Sequence, residues 1–430
     1  MSIKSSSLPS TKSLILASGI VLTTAYILSK ILDRTPPHIK RRKLIQSLLT
    51  KQQEISETLA LLNEEEESEH KTNENPDYSL PVNDPALKKL ENIPSARIRL
   101  ISENLKFKDK VDFLGDYTNL QEKEFDGDYE YHLKDFKELK KKINDMKKDG
   151  IDELQIVSDF DQTTTAFTWN GEACNSLFGS FRHTDQTSQS FKKTTQSLYT
   201  SYGPIEIDTN IDISRKRLLL KDWYDAVKAA FLYENLNRDK IMQVLNDGNL
   251  ALRYGYREFF NVCKVLNVPY YMISGGITQM VQTIMAKVSD INNYSNYFTF
   301  SNDMVFDKEG NLKDLHMKVY ATTKAGILDK RKFSFKKNTL LLGDLITDYE
   351  MASQMDSENI VAIGFLERKK EGMLQDYLKK FDVVIVGDGD FLLPDYILRT
   401  VAGVEENPFF KEKIEEKKKT FEEVSKLFED

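Results

Sequence analysis

The chain has 430 residues, 40% hydrophobic and 30% charged, with a formal net charge of -7 and a pI near 5.6. That length holds one large domain or two ordinary ones with a sizeable core, and the acidic balance argues against a nucleic-acid polymer as partner, since phosphate backbones are held by clustered Lys and Arg. Two cysteines, Cys174 and Cys263, cannot build a disulfide framework, and five scattered histidines lack the spacing of a zinc site, so the body is expected in the cytosol.

In chain order, Ser13 to Ser29 carries no charge, and as a helix it would rise roughly 25 Å. It predicts a single N-terminal transmembrane helix within an anchor over residues 1–34; a cleaved signal peptide and a matrix presequence are the alternatives. Basic residues Lys30, Arg34, Lys40, Arg41, Arg42 and Lys43 on the downstream side predict a body facing the cytosol. The mitochondrial outer membrane or the endoplasmic reticulum suits such an anchor. Residues 35–84 read as a juxtamembrane helix followed by an acidic linker, NEEEESEHKTNENPD, too poor in apolar groups to pack. Between His132 and Lys148, Leu133, Phe136, Leu139 and Ile143 form a helical stripe that leads through Gly150 into an apolar strand, Leu154 to Val157.

That strand delivers Asp159 and Asp161 in the stretch SDFDQTTTAF. Two acids at the carboxyl end of a strand are expensive unless a cation shares them. Residues 170–248 are largely helical in pattern, the arrangement of a cap inserted after a first strand. A helix over Leu252 to Leu266 precedes a strand, Pro269 to Ile273, and Ser274-Gly275-Gly276 reads as a tight turn into a helix with a buried face at Ile277, Met280, Val281, Ile284, Met285 and Val288. Such a turn aims backbone N–H groups and a hydroxyl at a phosphate, although alone it also fits an ordinary loop. Lys324 follows in a polar turn, and Leu340 to Leu342 ends in GDLITD, a second carboxylate pair, Asp344 and Asp348. The pattern of residues 407–430 predicts a charged amphipathic helix.

The ordered set DxD, SGG, K and GDxxxD resembles the haloacid dehalogenase-like superfamily of phosphoryl-transfer enzymes. The stretches IEID, DWYD, LRYGYREFF, YMISGGI, SNDMVFDKEGNLK and LLGDLITDYEMA are similar to the cytosolic pyrimidine 5'-nucleotidase (5'-nucleotidase III) family. The resemblance covers about Leu154 to Asp395. It implies an α/β fold, a Rossmann-like doubly wound parallel sheet over residues 85–169 and 249–406 with the helical cap at 170–248.

It also implies a Mg2+-dependent 5'-nucleotidase acting on nucleoside 5'-monophosphates, pyrimidine or 7-methylguanosine. Asp159 would be the nucleophile that forms an aspartyl-phosphate, and Asp161 the general acid and base. The metal would fall to Asp159, the Asp161 carbonyl and Asp344, with Asp348 supporting the shell. Ser274, Gly275 and Lys324 would take the phosphate, and Thr163 would fix the loop. In the cap, Glu206 would meet the base, and Trp223 and Tyr224, with Phe178, would stack it; each also fits as plain cap core. Val227 stands where the family usually carries a small polar residue, which loosens the link to pyrimidines, and Gly275 replaces a usual alanine. The alternatives are a phosphatase for another small ester such as phosphoserine and a membrane-tethered non-catalytic scaffold. The sequence specifies no oligomeric state.

Overall fold

The computed structural model describes residues 112–125, 129–208, 210–328 and 333–404. The strand-to-acid segment is its spine. Leu154, Ile156 and Val157 are fully buried, and alternate side chains serve opposite faces: Leu154 and Ile156 join one apolar cluster, Val157 the other. A strand buried on both sides reads as a continuous apolar run, as this one does.

Among the described residues eight strands form one sheet: β1 (Tyr129–Leu133), β2 (Leu154–Ser158), β3 (Tyr270–Ile277), β4 (Tyr297–Phe306), β5 (Leu312–His316), β6 (Asn338–Gly343), β7 (Asn359–Leu366) and β8 (Val383–Gly387), in the spatial order β1-β8-β7-β6-β2-β3-β4-β5. The six central strands are parallel, and β1 and β5 are antiparallel edges. β2 lies between β6 and β3, so the chain leaves it to one side and returns on the other. That is the switch point of a doubly wound sheet, where a crevice opens beyond the strand ends.

Helix α1 (Phe136–Asp149) is capped by the Asp135 side chain, which accepts from Glu138 N at 3.0 Å, and buries Leu139, Ile143 and Met146. It stops at Gly150, whose φ of +84° suits glycine. The expected stripe holds except for Leu133, which ends β1. Between β2 and β3 the chain inserts α2 (Leu177–Ser180), α3 (Gln189–Ile207), α4 (Ile213–Tyr233) and α5 (Arg238–Asp247). Helices α6 (Tyr256–Val265) and α7 (Thr278–Val288) follow, then α8 (Leu374–Lys380) and α9 (Leu392–Ala402). One face of the sheet packs on α1, α6, α7 and α9, and the other on α8 and the 3-10 segment Ile346–Ala352. Each large apolar side chain so buried contributes about 1.5–3 kcal/mol.

Two expectations change. Ser274-Gly275-Gly276 is not a tight turn: β3 continues through it to Ile277, and the pairing with β4 slips in register between Ile273 and Ile277. The bulge re-aims the backbone at the strand end without ending the strand. The N-terminal transmembrane helix is also corrected. Among the described residues no helix is long and apolar enough to cross a membrane, and the uncharged stretch Ser13 to Ser29 falls short of the roughly 20 apolar residues that a span needs. The anchor (1–34), the linker region (35–84) and the C-terminal amphipathic helix (407–430) lie outside the described residues.

Candidate active site

The carboxyl ends of β2 and β6 bring the two acid pairs together. Asp159 N donates to Leu342 O at 3.0 Å, tying one strand end to the other. Oxygens of Asp159, Asp344 and Asp348 all lie within 4.8 Å of one another, and the three residues are buried. Lys324 arrives from the far side, 3% exposed, with its Nζ 2.9 Å from Asp159 Oδ2 and 2.8 Å from Asp348 Oδ1. Burial works against its charge, but the two carboxylates hold its pKa above the usual lysine value.

Asp348 is fully engaged. Its Oδ2 accepts from Asp344 N at 3.1 Å and from Leu345 N at 2.9 Å, while Oδ1 holds Lys324. It shapes the loop and orients the lysine. The glycine of GDxxxD is required for this approach, because a Cβ at Gly343 would sit 2.4 Å from Asp348 Cβ. Asp159 differs: its Oδ1 is buried and has no hydrogen-bond partner among the described residues. Burial pushes its pKa up to about 6 against the pull of Lys324, and burial with Asp348 and Asp159 raises that of Asp344. An orphaned carboxylate oxygen facing a second acid is the donor set of a hard divalent cation such as Mg2+, and the residues fit one.

Asp161 accepts from Leu177 N at 3.0 Å, so the first turn of α2 orients its carboxylate. Burial, then Asp159, pushes its pKa up to about 7, the range of a group that can give and take a proton near neutrality. Thr163 Oγ1 reaches Asp344 Oδ1 at 3.4 Å, and Thr164 Oγ1 donates to Asp159 O at 3.0 Å.

Asp159, Asp161, Gly275, Lys324 and Asp344 line a cavity of about 590 Å3 whose upper wall includes Phe178, Glu206, Trp223, Tyr224, Val227 and Phe231 from the inserted helices. Ser274 and Asp348 are not part of this lining. Ser274 is fully buried, and its Oγ accepts from Gly276 N at 2.9 Å. Glu206 is half-buried near the end of α3, and burial pushes its pKa up to about 7. Trp223 stacks on Tyr202, with centroids 6.1 Å apart and planes 7° from parallel, and its Nε1 is buried without a hydrogen-bond partner among the described residues. Tyr224 lies edge-on to Phe178 at 6.3 Å. Its hydroxyl would be 3.3 Å from a Cβ at Gly275, so the glycine leaves room for it.

Three supporting residues were not singled out from the sequence. Arg253 is fully buried and donates to the carbonyls of Gln162 at 2.5 Å, Thr163 at 2.9 Å and Gly389 at 2.8 Å, and to Asp388 Oδ1 at 3.1 Å. It grips the loop just after Asp161, where Gln162 adopts a left-handed φ of +60°. Asp388 also accepts from Phe167 N, Thr168 N and Lys123 Nζ. Burial alone would raise its pKa, but Arg253, Lys123 and these donors hold it below the usual carboxylate value. Its signal was another apolar strand ending in acids, VVIVGDGD. Asn302, fully buried, donates to Gly275 O and Val319 O, both at 2.8 Å, and accepts from the Lys318 and Val319 amides, joining the β3 bulge to the segment that carries Lys324.

The family model described as "Pyrimidine 5'-nucleotidase (UMPH-1)" matches residues 162–402. A Xenopus laevis protein named 7-methylguanosine phosphate-specific 5'-nucleotidase A is 30% identical over 276 residues, 63% of this chain and 94% of that protein. The Homo sapiens protein named 7-methylguanosine phosphate-specific 5'-nucleotidase is 30% identical over 57% of this chain and 84% of its own length. The crystal structure of cytosolic 5'-nucleotidase IIIB bound to cytidine superposes with a TM-score of 0.56 at 27% identity, covering 64% of this chain and 94% of that one. The chain belongs to the pyrimidine 5'-nucleotidase family of haloacid dehalogenase-like phosphoric monoester hydrolases.

Proposed function

We propose that this chain hydrolyses nucleoside 5'-monophosphates, 7-methylguanosine and pyrimidine nucleotides among them, to nucleoside and phosphate. The observation that carries the reading is a single cavity with the acid-lysine cluster at its floor and Phe178, Trp223, Tyr224 and the Glu206 carboxylate in its wall. One end suits a phosphate, and the other suits a flat base with N–H donors. A carboxylate among aromatic faces also suits the positively charged ring of a 7-methylated purine.

In this reading Asp159 attacks phosphorus in line, and the phosphoryl group passes to its carboxylate while the ribose oxygen leaves. Asp161 protonates that leaving oxygen and then takes a proton from the water that releases phosphate. Lys324 neutralises charge that builds on the phosphoryl oxygens, and Gly275 N–H donates to one of them. Asp348 and Asn302 fix Lys324 and Gly275 in place. Mg2+, held by Asp159 and Asp344, would supply charge neutralisation at the transferred phosphoryl group. Phosphate release should be measured across UMP, CMP, AMP, 7-methyl-GMP and phosphoserine. Nucleotides should lead the panel, and Asp159→Asn should abolish the rate; a clear preference for phosphoserine, or an unchanged rate in the variant, would refute the reading.

A further inference from the structure

The active-site cavity has a neighbour. A second, shallower cleft of about 550 Å3 shares Arg182, Gln196 and Thr200 with its wall. The cleft continues along one face of α3, where Lys192, Lys193, Gln196, Ser197, Thr200 and Ser201 recur at the one- and four-residue spacings that share a helix face. Phe191 and Thr195 turn the other way and are buried. The lining holds no carboxylate, although the chain as a whole is acidic.

Arg182 sits at the junction. Its guanidinium lies 4.8 Å over the Tyr199 ring, its Nε is buried without a hydrogen-bond partner, and it makes no ion pair among the described residues. A partly buried cation left without an acid is costly to keep, and an anion entering the cleft would satisfy it. Beside it, burial, then Arg182, then Lys192 hold the His183 pKa below its usual value, which reports the same positive field. Lys192 meets one acid, the fully exposed Asp185 at 3.8 Å, an arrangement of little energetic worth. Ammonium and hydroxyl groups on a helix face, with a guanidinium beside them, are the chemistry of phosphate recognition.

We propose that this cleft is a second phosphate subsite, and that it takes a phosphoryl group carried on the ribose of the substrate away from the scissile 5'-phosphate, so that nucleoside 3',5'-bisphosphates are accepted in preference to the corresponding monophosphates. The inference rests on the nucleotidase reading, because it is the 5'-phosphate on Asp159 that places the rest of the nucleotide near Arg182. The second phosphate is retained; only the 5'-ester is cleaved.

The test compares kcat/KM for cytidine 5'-monophosphate and cytidine 3',5'-bisphosphate in the wild type and in Lys192→Ala/Lys193→Ala, two side chains outside the catalytic floor. The wild type should favour the bisphosphate by about tenfold or more, chiefly through KM, and the advantage should shrink with added salt. In the double variant the ratio should fall toward one, with the monophosphate kcat unchanged. Equal ratios in the two proteins, or no preference in the wild type, would overturn the proposal. So would a monophosphate rate that free inorganic phosphate alters in the wild type but not in the variant without any bisphosphate preference, since the cleft would then hold the free ion. Calorimetric binding of both nucleotides to Asp159→Asn, with and without the lysine substitutions, reads the subsite without turnover. Absence of turnover on either nucleotide, with the difference in binding kept, would refute the nucleotidase reading and leave the subsite standing.

Discussion

Replacing Arg253 by methionine removes the grip on the loop that carries Asp161. Methionine fills most of the volume but donates nothing, so the carbonyls of Gln162, Thr163 and Gly389 and one oxygen of Asp388 lose their charged donor in a fully buried site. The side chain also sits 4.5 Å over the Phe167 ring and 4.3 Å over that of Phe365. Breaking a buried ion pair by removing one partner costs about 3–5 kcal/mol. The lower end is expected here, because Lys123, 2.8 Å from Asp388, still neutralises the acid. The left-handed Gln162 adds to the effect: a non-glycine residue held there costs about 1–3 kcal/mol and persists only while its surroundings enforce it. Once that restraint is gone the loop relaxes and Asp161, its immediate neighbour, shifts; a displacement of about 1 Å in a reacting group costs roughly 100-fold in rate. Arg253→Met should therefore lower the urea midpoint, followed by tryptophan fluorescence, by an amount worth about 3 kcal/mol, and lower kcat on CMP by about 100-fold. Arg253→Lys should recover part of the stability and little of the rate, because one ammonium cannot serve three carbonyls and a carboxylate at once. A methionine variant with the wild-type midpoint and kcat within twofold would refute the reasoning.

Glu206, with its pKa pushed up to about 7, is ionised above that pH and protonated below it. As the acceptor for the cytosine amine it should lower the KM for CMP several-fold as pH rises through 7, and Glu206→Gln should flatten that part of the profile; a parallel profile in the variant would exclude Glu206 from base recognition. Gly275→Ala places a Cβ 3.3 Å from the Tyr224 hydroxyl, tight enough to move the ring, and is expected to raise KM a few-fold at nearly constant kcat; a fall in kcat alone would show that the phosphate contact was disturbed instead. Asp344→Asn removes one of the crowded buried acids, so the metal-free protein should melt higher than the wild type. Mg2+ should stabilise the wild type by about 2.7 kcal/mol at 100 times Kd, and in the variant that stabilisation should disappear together with activity. A Mg2+-induced shift in melting temperature that survives the substitution would place the ion elsewhere.

The two acid pairs were legible in the sequence because each follows an apolar strand. Asp159 and Asp344 are one residue beyond β2 and β6, and a strand buried on both faces cannot hide its pattern. The inserted helices were legible for a similar reason, since α4 and α5 keep a helical repeat of apolar positions. The sequence could also place Ser274 and Gly275 near a strand end, but hydropathy alone does not encode a slip in pairing, and so the bulge that carries them passed for a turn. What only the tertiary structure decided is how the acids divide their work. Asp348 spends both oxygens on Lys324 and on two amides, whereas one oxygen of Asp159 has no hydrogen-bond partner among the described residues, and no spacing of residues along the chain distinguishes those states. Arg253 and Asp388, far apart in the chain, meet across the sheet only after it has wound. The physical reason is that residue type and local periodicity set which groups reach a strand end, while hydrogen-bond partners and desolvation, which set their charge and reactivity, belong to the packed fold.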